Sequence, residues 1–173
     1  MDAGQEQEGV AEMHEPESKR GMSRALVVVG AMFGVALLSA GVASAADPVQ
    51  LRSRLGNWCI DGPGGNNAAT VVNPCDGSKS QLWAFNSAGQ IESVAYPGQC
   101  MTISSAADAT PVILSPCQAT ATNGRWNAQT NGQITSVLGP CLNVFGGVAN
   151  PGTPVIAYHC LSEVTDEQWD SVA

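Results

Sequence analysis

The segment from Gln50 to Trp83 reads QLRSRLGNWCIDGPGGNNAATVVNPCDGSKSQLW, and the order of its landmarks recurs twice further along the chain. Each copy has a Gln-apolar-x-Ser phrase, a first Cys, a loop rich in Gly, Ala and Asn, a short apolar run, a second Cys and a Trp. Trp83, Trp126 and Trp169 lie 43 residues apart, twice. A constant period of this length is typical of repeat architectures. We therefore expect three equivalent units of about 42 residues.

The region before the repeats predicts export. Residues 1–21 carry six acidic side chains and almost nothing apolar, so we expect them to be disordered, or untranslated if Met22 is the true start. Lys19, Arg20 and Arg24 precede the uncharged run 25–43, and an Ala-Ser-Ala site ends at Ala45, so residues 22–45 have the pattern of a cleaved signal peptide. The alternative is an uncleaved membrane anchor, because the apolar run could span a bilayer. Either way, residues 46–173 are predicted to lie outside the cytosol, and secretion is the preferred interpretation.

All six cysteines lie in the predicted exported domain and follow the repeat. The first cysteines of the copies are 41 residues apart, and the second follow them by 16, 17 and 19 residues. An even number of cysteines in an oxidising compartment indicates disulfides. Zinc is the alternative for clustered cysteines, but the sequence has no C-x2-4-C pair. The repeat favours one disulfide within each copy: Cys59–Cys75, Cys100–Cys117 and Cys141–Cys160.

The charge of the chain excludes several classes of partner. The 173 residues have a formal net charge of -8, and residues 46–173 contain four basic and nine acidic side chains. General nucleic-acid binding and electrostatic binding to anionic lipid both need a basic surface. We therefore expect no nucleic-acid partner, and no membrane partner after signal cleavage.

The composition of the exported part predicts an all-β domain. Its apolar runs are short and often β-branched, and Gly, Pro and Asn separate them, which favours about four strands per copy. The copies span about 50–89, 90–132 and 133–173. A Gln-apolar-x-Ser phrase precedes the first Cys, but none follows Trp169. We expect the strand near Gln50 to complete the third copy and close the three units into a ring without exposed edges.

Residues 48–173 resemble the ricin B-chain-like lectins, which are β-trefoils that also occur as family 13 carbohydrate-binding modules beside secreted bacterial glycosidases. The family's Gln-x-Trp phrase stands as Gln81-Leu82-Trp83 in the first copy and, in altered form, as Glu167-Gln168-Trp169 in the third. The second copy reads Gly124-Arg125-Trp126 and lacks the Gln. The family's Cys-apolar-Asp phrase appears as Cys59-Ile60-Asp61 and Cys141-Leu142-Asn143.

The resemblance implies one shallow saccharide pocket per copy. Each pocket has an Asp or Asn acceptor two residues after the first Cys, an aromatic platform two residues before the second Cys, and a polar pair just before the Trp. These groups suit a sugar ring, which has a polar rim and an apolar face.

By this resemblance the third copy is the best candidate site and the first is the next best. The third keeps Tyr158, although Asn143 replaces the carboxylate and is expected to weaken the acceptor. The first copy has Asn73 in place of the aromatic platform. The second copy has Thr102 at the acceptor position, Ser115 at the platform position and Arg125 before the Trp, and it is expected to be inactive. The predicted carbohydrate-binding residues are Asn143, Tyr158, Gln168, Glu167, Asp61 and Gln81.

Other roles for these residues, and for the domain, remain open at this point. Asp61 could bond its own Gly-rich loop, and Gln81 and Gln168 could brace the backbone around the tryptophans, which we assign to the core. Nothing in the sequence indicates a metal, a cofactor or a catalytic signature, so we expect no enzyme. The alternative function is a β-trefoil scaffold that binds or inhibits a protein. The sugar, the oligomeric state and any partner enzyme are left open.

Overall fold

The computed structural model describes residues 47–173, so the predicted acidic segment 1–21 and signal peptide 22–45 lie outside the described residues. Over 47–173 no helix has the length and apolarity needed to cross a membrane. The domain consists of short strands and three 3₁₀ turns, at Lys79–Gln81, Phe145–Gly147 and Thr165–Glu167. The strands are β1 Val49–Ser53, β2 Trp58–Asp61, β3 Val71–Pro74, β4 Leu82–Phe85, β5 Ile91–Ser93, β6 Gln99–Thr102, β7 Thr110–Pro111, β8 Ile113–Pro116, β9 Trp126–Ala128, β10 Ile134–Ser136, β11 Cys141–Val144, β12 Thr153–Tyr158 and β13 Trp169–Val172.

The recurring Gln-apolar-x-Ser phrase builds the first strand of each repeat and the turn after it. Its apolar residue and its Ser are both buried, in keeping with the two-residue period of a strand. The Ser hydroxyl then accepts a hydrogen bond from a backbone N–H just beyond the strand. The three bonds run from Leu55 N to Ser53 Oγ (3.2 Å), from Tyr96 N to Ser93 Oγ (3.2 Å) and from Leu138 N to Ser136 Oγ (3.1 Å).

The tryptophans that mark the repeats lie in the core. Trp83, Trp126 and Trp169 are at most 4% exposed. In each repeat the indole N–H donates to the carbonyl of the residue after the first Cys. The acceptors are Ile60 O at 3.0 Å, Met101 O at 2.9 Å and Leu142 O at 3.1 Å. One repeated contact therefore satisfies the only polar atom of each buried ring.

The predicted all-β trefoil with one disulfide per repeat is confirmed. The disulfides join Cys59 to Cys75, Cys100 to Cys117 and Cys141 to Cys160. Strand β1 pairs with β13, with Gln50 opposite Val172, and also with β2 and β4. The N-terminal strand therefore lies beside the last strand of the third repeat, as the expected ring closure requires.

The second repeat departs from the expected four strands. Its third strand is split at Val112 into β7, which pairs with β12, and β8, which pairs with β6. The buried Val112 lies between them, donates its N–H to Val155 O and accepts from Thr70 N. This strand is interrupted because it changes partners, and its N-terminal half extends into the third repeat.

Candidate functional site

The third repeat contains a cleft of about 360 Å³. Strand β11 supplies Asn143, and the antiparallel strand β12 supplies Tyr158 at its end. Phe145, from the 3₁₀ turn after β11, and Asp166, from the turn before Trp169, also line it. The structure thus brings Asn143 and Tyr158 together in one cleft, and their role in saccharide binding stays a prediction. Tyr158 is half-buried and lines the cleft rather than the core.

Asp166 is a cleft residue that the sequence analysis missed. Asn143 donates from Nδ2 to Asp166 Oδ2 at 3.0 Å, so a carboxylate does lie at the acceptor position, but it comes from the turn before the Trp. The missed signal was the 43-residue period. It aligns Glu167, not Gln168, with Gln81, and therefore aligns Asp166 with Ser80.

Glu167 lies behind the cleft and holds it in shape. It is fully buried, and its Oε2 accepts from Gln133 Nε2 at 2.9 Å and from Leu161 N at 2.8 Å. Its Oε1 accepts from Asn143 Nδ2 at 3.4 Å. Because Nδ2 of Asn143 faces two carboxylates, Oδ1 is the Asn143 atom left to accept a hydrogen bond from a ligand.

Gln81 occupies the matching position in the first repeat. It is also fully buried, accepts from Gln50 Nε2 at 2.9 Å and from Asp76 N at 3.0 Å, and donates to Pro74 O at 2.9 Å. Gln168 is half-buried, forms an isolated bridge with Gln133, and does not line the third-repeat cleft. The contacts of Gln81 and Glu167 are those of bracing residues, and a direct saccharide contact by Gln81, Glu167 or Gln168 stays a prediction.

Because Asn143 Nδ2 bonds to two carboxylates, we expect an Asp at position 143 to destabilise the domain. We predict that Asn143→Asp lowers the free energy of unfolding at pH 7 by about 1–3 kcal/mol, because a third carboxylate would lose the amide donor and face Asp166 and Glu167. Urea unfolding at pH 7 measures this. Asn127→Asp, at an exposed position, is the control for net charge. Equal stability of the two variants would contradict the prediction.

The first-repeat candidate, Asp61, is sealed by its neighbours. Its exposure of 7% does not distinguish it from Asn143 at 4%, but its Oδ2 accepts from Asn73 Nδ2 at 2.9 Å and it lines neither the second-repeat nor the third-repeat cleft. Asn73 also accepts from Gly152 N in the third repeat at 3.0 Å through Oδ1. Asn73 stands where an aromatic platform is expected. Its amide therefore occupies Oδ2 of Asp61, the acceptor that a sugar hydroxyl would otherwise use. The buried Oδ1 of Asp61 has no partner among the described residues. A saccharide contact by Asp61 stays a prediction.

The second repeat has a different, polar cleft of about 250 Å³. Gln90, Thr102, Ser115, Asn123 and Gly124 are among its walls, and its described lining has neither an aromatic ring nor a carboxylate. The second repeat has Gly124, which carries no side chain, at the position equivalent to Gln81 and Glu167 in the other repeats. Arg125 points elsewhere, since its Nη2 donates to Ala119 O. This cleft lacks both groups that make the third one suited to a sugar.

One wall of the third-repeat cleft comes from the second repeat. Asp108 accepts from His159 N at 2.8 Å and contacts His159 Nδ1 at 2.9 Å, and these hydrogen bonds lower the pKa of the Asp108 carboxyl. The next residue, Ala109, has a φ of 62° and lines the cleft. The His159 ring lies 4.3 Å from the Tyr158 ring, centroid to centroid. Asp108 and His159 thus connect the Ala109 wall to the aromatic side of the cleft.

Comparison with known proteins agrees with this geometry. Uncharacterized proteins of Mycobacterium tuberculosis and Mycobacterium bovis are 51% identical over 98 residues, which cover 56% of this chain and 60% of the relatives. The match thus spans less than two thirds of these relatives' length.

Solved structures show the same fold at low sequence identity. The β-trefoil lectin domain of a Vibrio vulnificus hemolysin/cytolysin, solved with N-acetyl-D-lactosamine bound, has a TM-score of 0.61 and 20% identity over 73% of this chain and 93% of that one. The designed threefold-symmetric protein ThreeFoil has a TM-score of 0.63 and 18% identity over 73% of this chain and 98% of that one.

The family assignment follows from the profile match together with the fold. Residues 47–169 match the ricin-type beta-trefoil lectin domain, and that range contains all three repeats up to the last core Trp. This domain is a carbohydrate-binding, non-catalytic module. The chain belongs to the ricin-type β-trefoil lectin family.

Proposed function

We propose that this protein is a secreted lectin that binds saccharides weakly, mainly through the third-repeat cleft. The observation that carries the proposal is the convergence of Tyr158, Asn143 and Asp166 in one open cleft. The family membership supports carbohydrate as the ligand class, and the predicted signal peptide supports secretion.

The chemistry of the cleft suits a pyranose ring. The apolar C–H face of a sugar can stack on Tyr158, while its hydroxyls donate to Asn143 Oδ1 and to the Asp166 carboxylate. These two neighbouring acceptors can each take one hydroxyl of the ring, and the bond to a carboxylate is charge-assisted. Asp166 thus supplies the charge that Asn143 lacks.

A single shallow cleft gives a small binding free energy. We expect a Kd of about 0.1–10 mM, or about -3 to -5.5 kcal/mol. The sealed Asp61 and the ring-free second cleft provide no comparable second site. Stronger attachment would therefore need a polymeric target that engages several protein molecules.

Replacing Tyr158 tests the proposal. Tyr158→Ala should weaken saccharide binding by about 5- to 30-fold, because the stacking surface contributes about 1–2 kcal/mol. A glycan array or polysaccharide pull-down identifies the ligand, and a titration followed by NMR gives the Kd. Ser115→Ala is the matched control and should leave this binding unchanged, because Ser115 stands two residues before Cys117 as Tyr158 stands two before Cys160.

The outcomes separate lectin activity from the alternative. Absence of binding by the wild type to any saccharide would overturn the proposal and favour the protein-binding β-trefoil instead. Unchanged binding by Tyr158→Ala would place any saccharide site outside the third-repeat cleft.

A further inference from the structure

The walls of the third-repeat cleft are more apolar than one sugar ring requires. Besides Tyr158 they include Ala109, Phe145, Ile156 and Leu161. Phe145 is 53% exposed and Leu161 is 39% exposed, so both present apolar surface to solvent. A pyranose has one markedly apolar face, and Tyr158 alone can cover it. A second apolar group on the ligand would be required to bury the remaining apolar wall away from water.

The charge of the same walls restricts the ligand further. Asp166 is the only acidic or basic side chain among the described residues that line the cleft. Asp108 and His159 pair with each other at the rim, and Glu167 is buried behind Asn143. A carboxylate or sulfate on the ligand would therefore meet Asp166 with no basic side chain in the lining to compensate.

We propose that the cleft selects a neutral saccharide with a methyl-bearing substituent, such as an acetamido or 6-deoxy group, and discriminates against acidic sugars. The inference rests on the proposed function and names the ligand class of its site. Leu161 and Ala109 form the wall that receives the methyl group. The ring lies on Tyr158, and its hydroxyls face Asn143 and Asp166.

Ala109 and Leu161 can be changed without disturbing the fold. Ala109 has a φ of 62°, a conformation that Gly adopts more readily, so Ala109→Gly removes only the methyl wall. Leu161 contacts Glu167 through its backbone N–H, so Leu161→Ser keeps that bond. Val148→Ser is the matched control, because Val148 is 63% exposed and does not line the cleft.

Matched sugar pairs titrated into the purified protein test the inference by NMR. The pairs are N-acetylgalactosamine with galactose, N-acetylglucosamine with glucose, L-fucose with L-galactose, and galacturonate with galactose. We expect the methyl-bearing member of at least one pair to bind about fourfold more tightly or better, since a buried methyl group contributes that much. Galacturonate should bind more weakly than galactose. Leu161→Ser and Ala109→Gly should reduce the methyl preference, which is the ratio of the two Kd values within a pair, and Val148→Ser should leave that ratio unchanged.

Each result bears on the inference separately from the proposed function. Binding of the unsubstituted sugars without a methyl preference, or equal binding of galacturonate, would overturn the inference and leave the lectin function standing. A methyl preference that survives in Leu161→Ser and Ala109→Gly would overturn the assignment of the wall. Absence of binding to every sugar would overturn both proposals. If a methyl preference is found, comparison of the acetamido pairs with the 6-deoxy pair shows which substituent the wall accepts.

Discussion

Asp166→Ala should abolish measurable saccharide binding while leaving the domain folded. The variant loses the ionised acceptor of the cleft and also the partner that holds Asn143 Nδ2 at 3.0 Å. A hydrogen bond to a charged group contributes about 1.5–3 kcal/mol, which corresponds to a loss of about 10- to 150-fold. A ligand bound at about 1 mM would then fall outside the range of a practical titration.

The measurement is an NMR titration with the saccharide that the wild type binds, together with urea unfolding to confirm the fold. Ser80→Ala is the matched control, because Ser80 stands three residues before Trp83 as Asp166 stands three before Trp169. We expect wild-type binding from Ser80→Ala. If Asp166→Ala bound as the wild type does, the carboxylate would have no part in recognition.

Reduction of the three disulfides should unfold the domain. Each closes a loop with a sequence separation of 16, 17 or 19 residues, and a loop of that size contributes about 3 kcal/mol in the chain-entropy account. Three such losses total about 9 kcal/mol, which is comparable with the whole stability of a typical domain at about 5–15 kcal/mol. Thermal and urea unfolding with and without reductant measure the effect.

Removal of one bridge serves as the control for this prediction. The double variant Cys100→Ala with Cys117→Ala should lose about 3 kcal/mol and keep saccharide binding, since that disulfide lies in the second repeat. An unchanged urea midpoint after complete reduction would show that the core alone stabilises the fold.

The architecture could be predicted because its signals are local and repeated three times. The Trp period, the Cys spacings and the Gln-apolar-x-Ser phrases each describe contacts within one copy: an indole bonded to a carbonyl of the same copy, a disulfide within the copy, and a Ser that accepts from the turn after it.

The candidate site was predictable only in part. Asn143 and Tyr158 were found because the resemblance counts residues from the nearest Cys. Asp166 was not predicted because the third copy was aligned on Gln168, which is adjacent to Trp169. The 43-residue period instead aligns Asp166 with Ser80. The expectation that Asn143 weakens the hydrogen-bond acceptor took account only of the strand that carries Asn143. The structure adds the carboxylate of Asp166, from the turn before Trp169.

The amino-acid sequence was sufficient for the number of repeats, the all-β fold, the disulfides and the buried tryptophans, because each of these features recurs in every copy. Which clefts stay open was decided by contacts between repeats. Gly152 of the third repeat bonds to Asn73, which occupies Asp61, and Asp108 of the second repeat bonds to His159 of the third beside the Ala109 wall. Such contacts leave no periodic trace, since they depend on which side chains the closed barrel brings together.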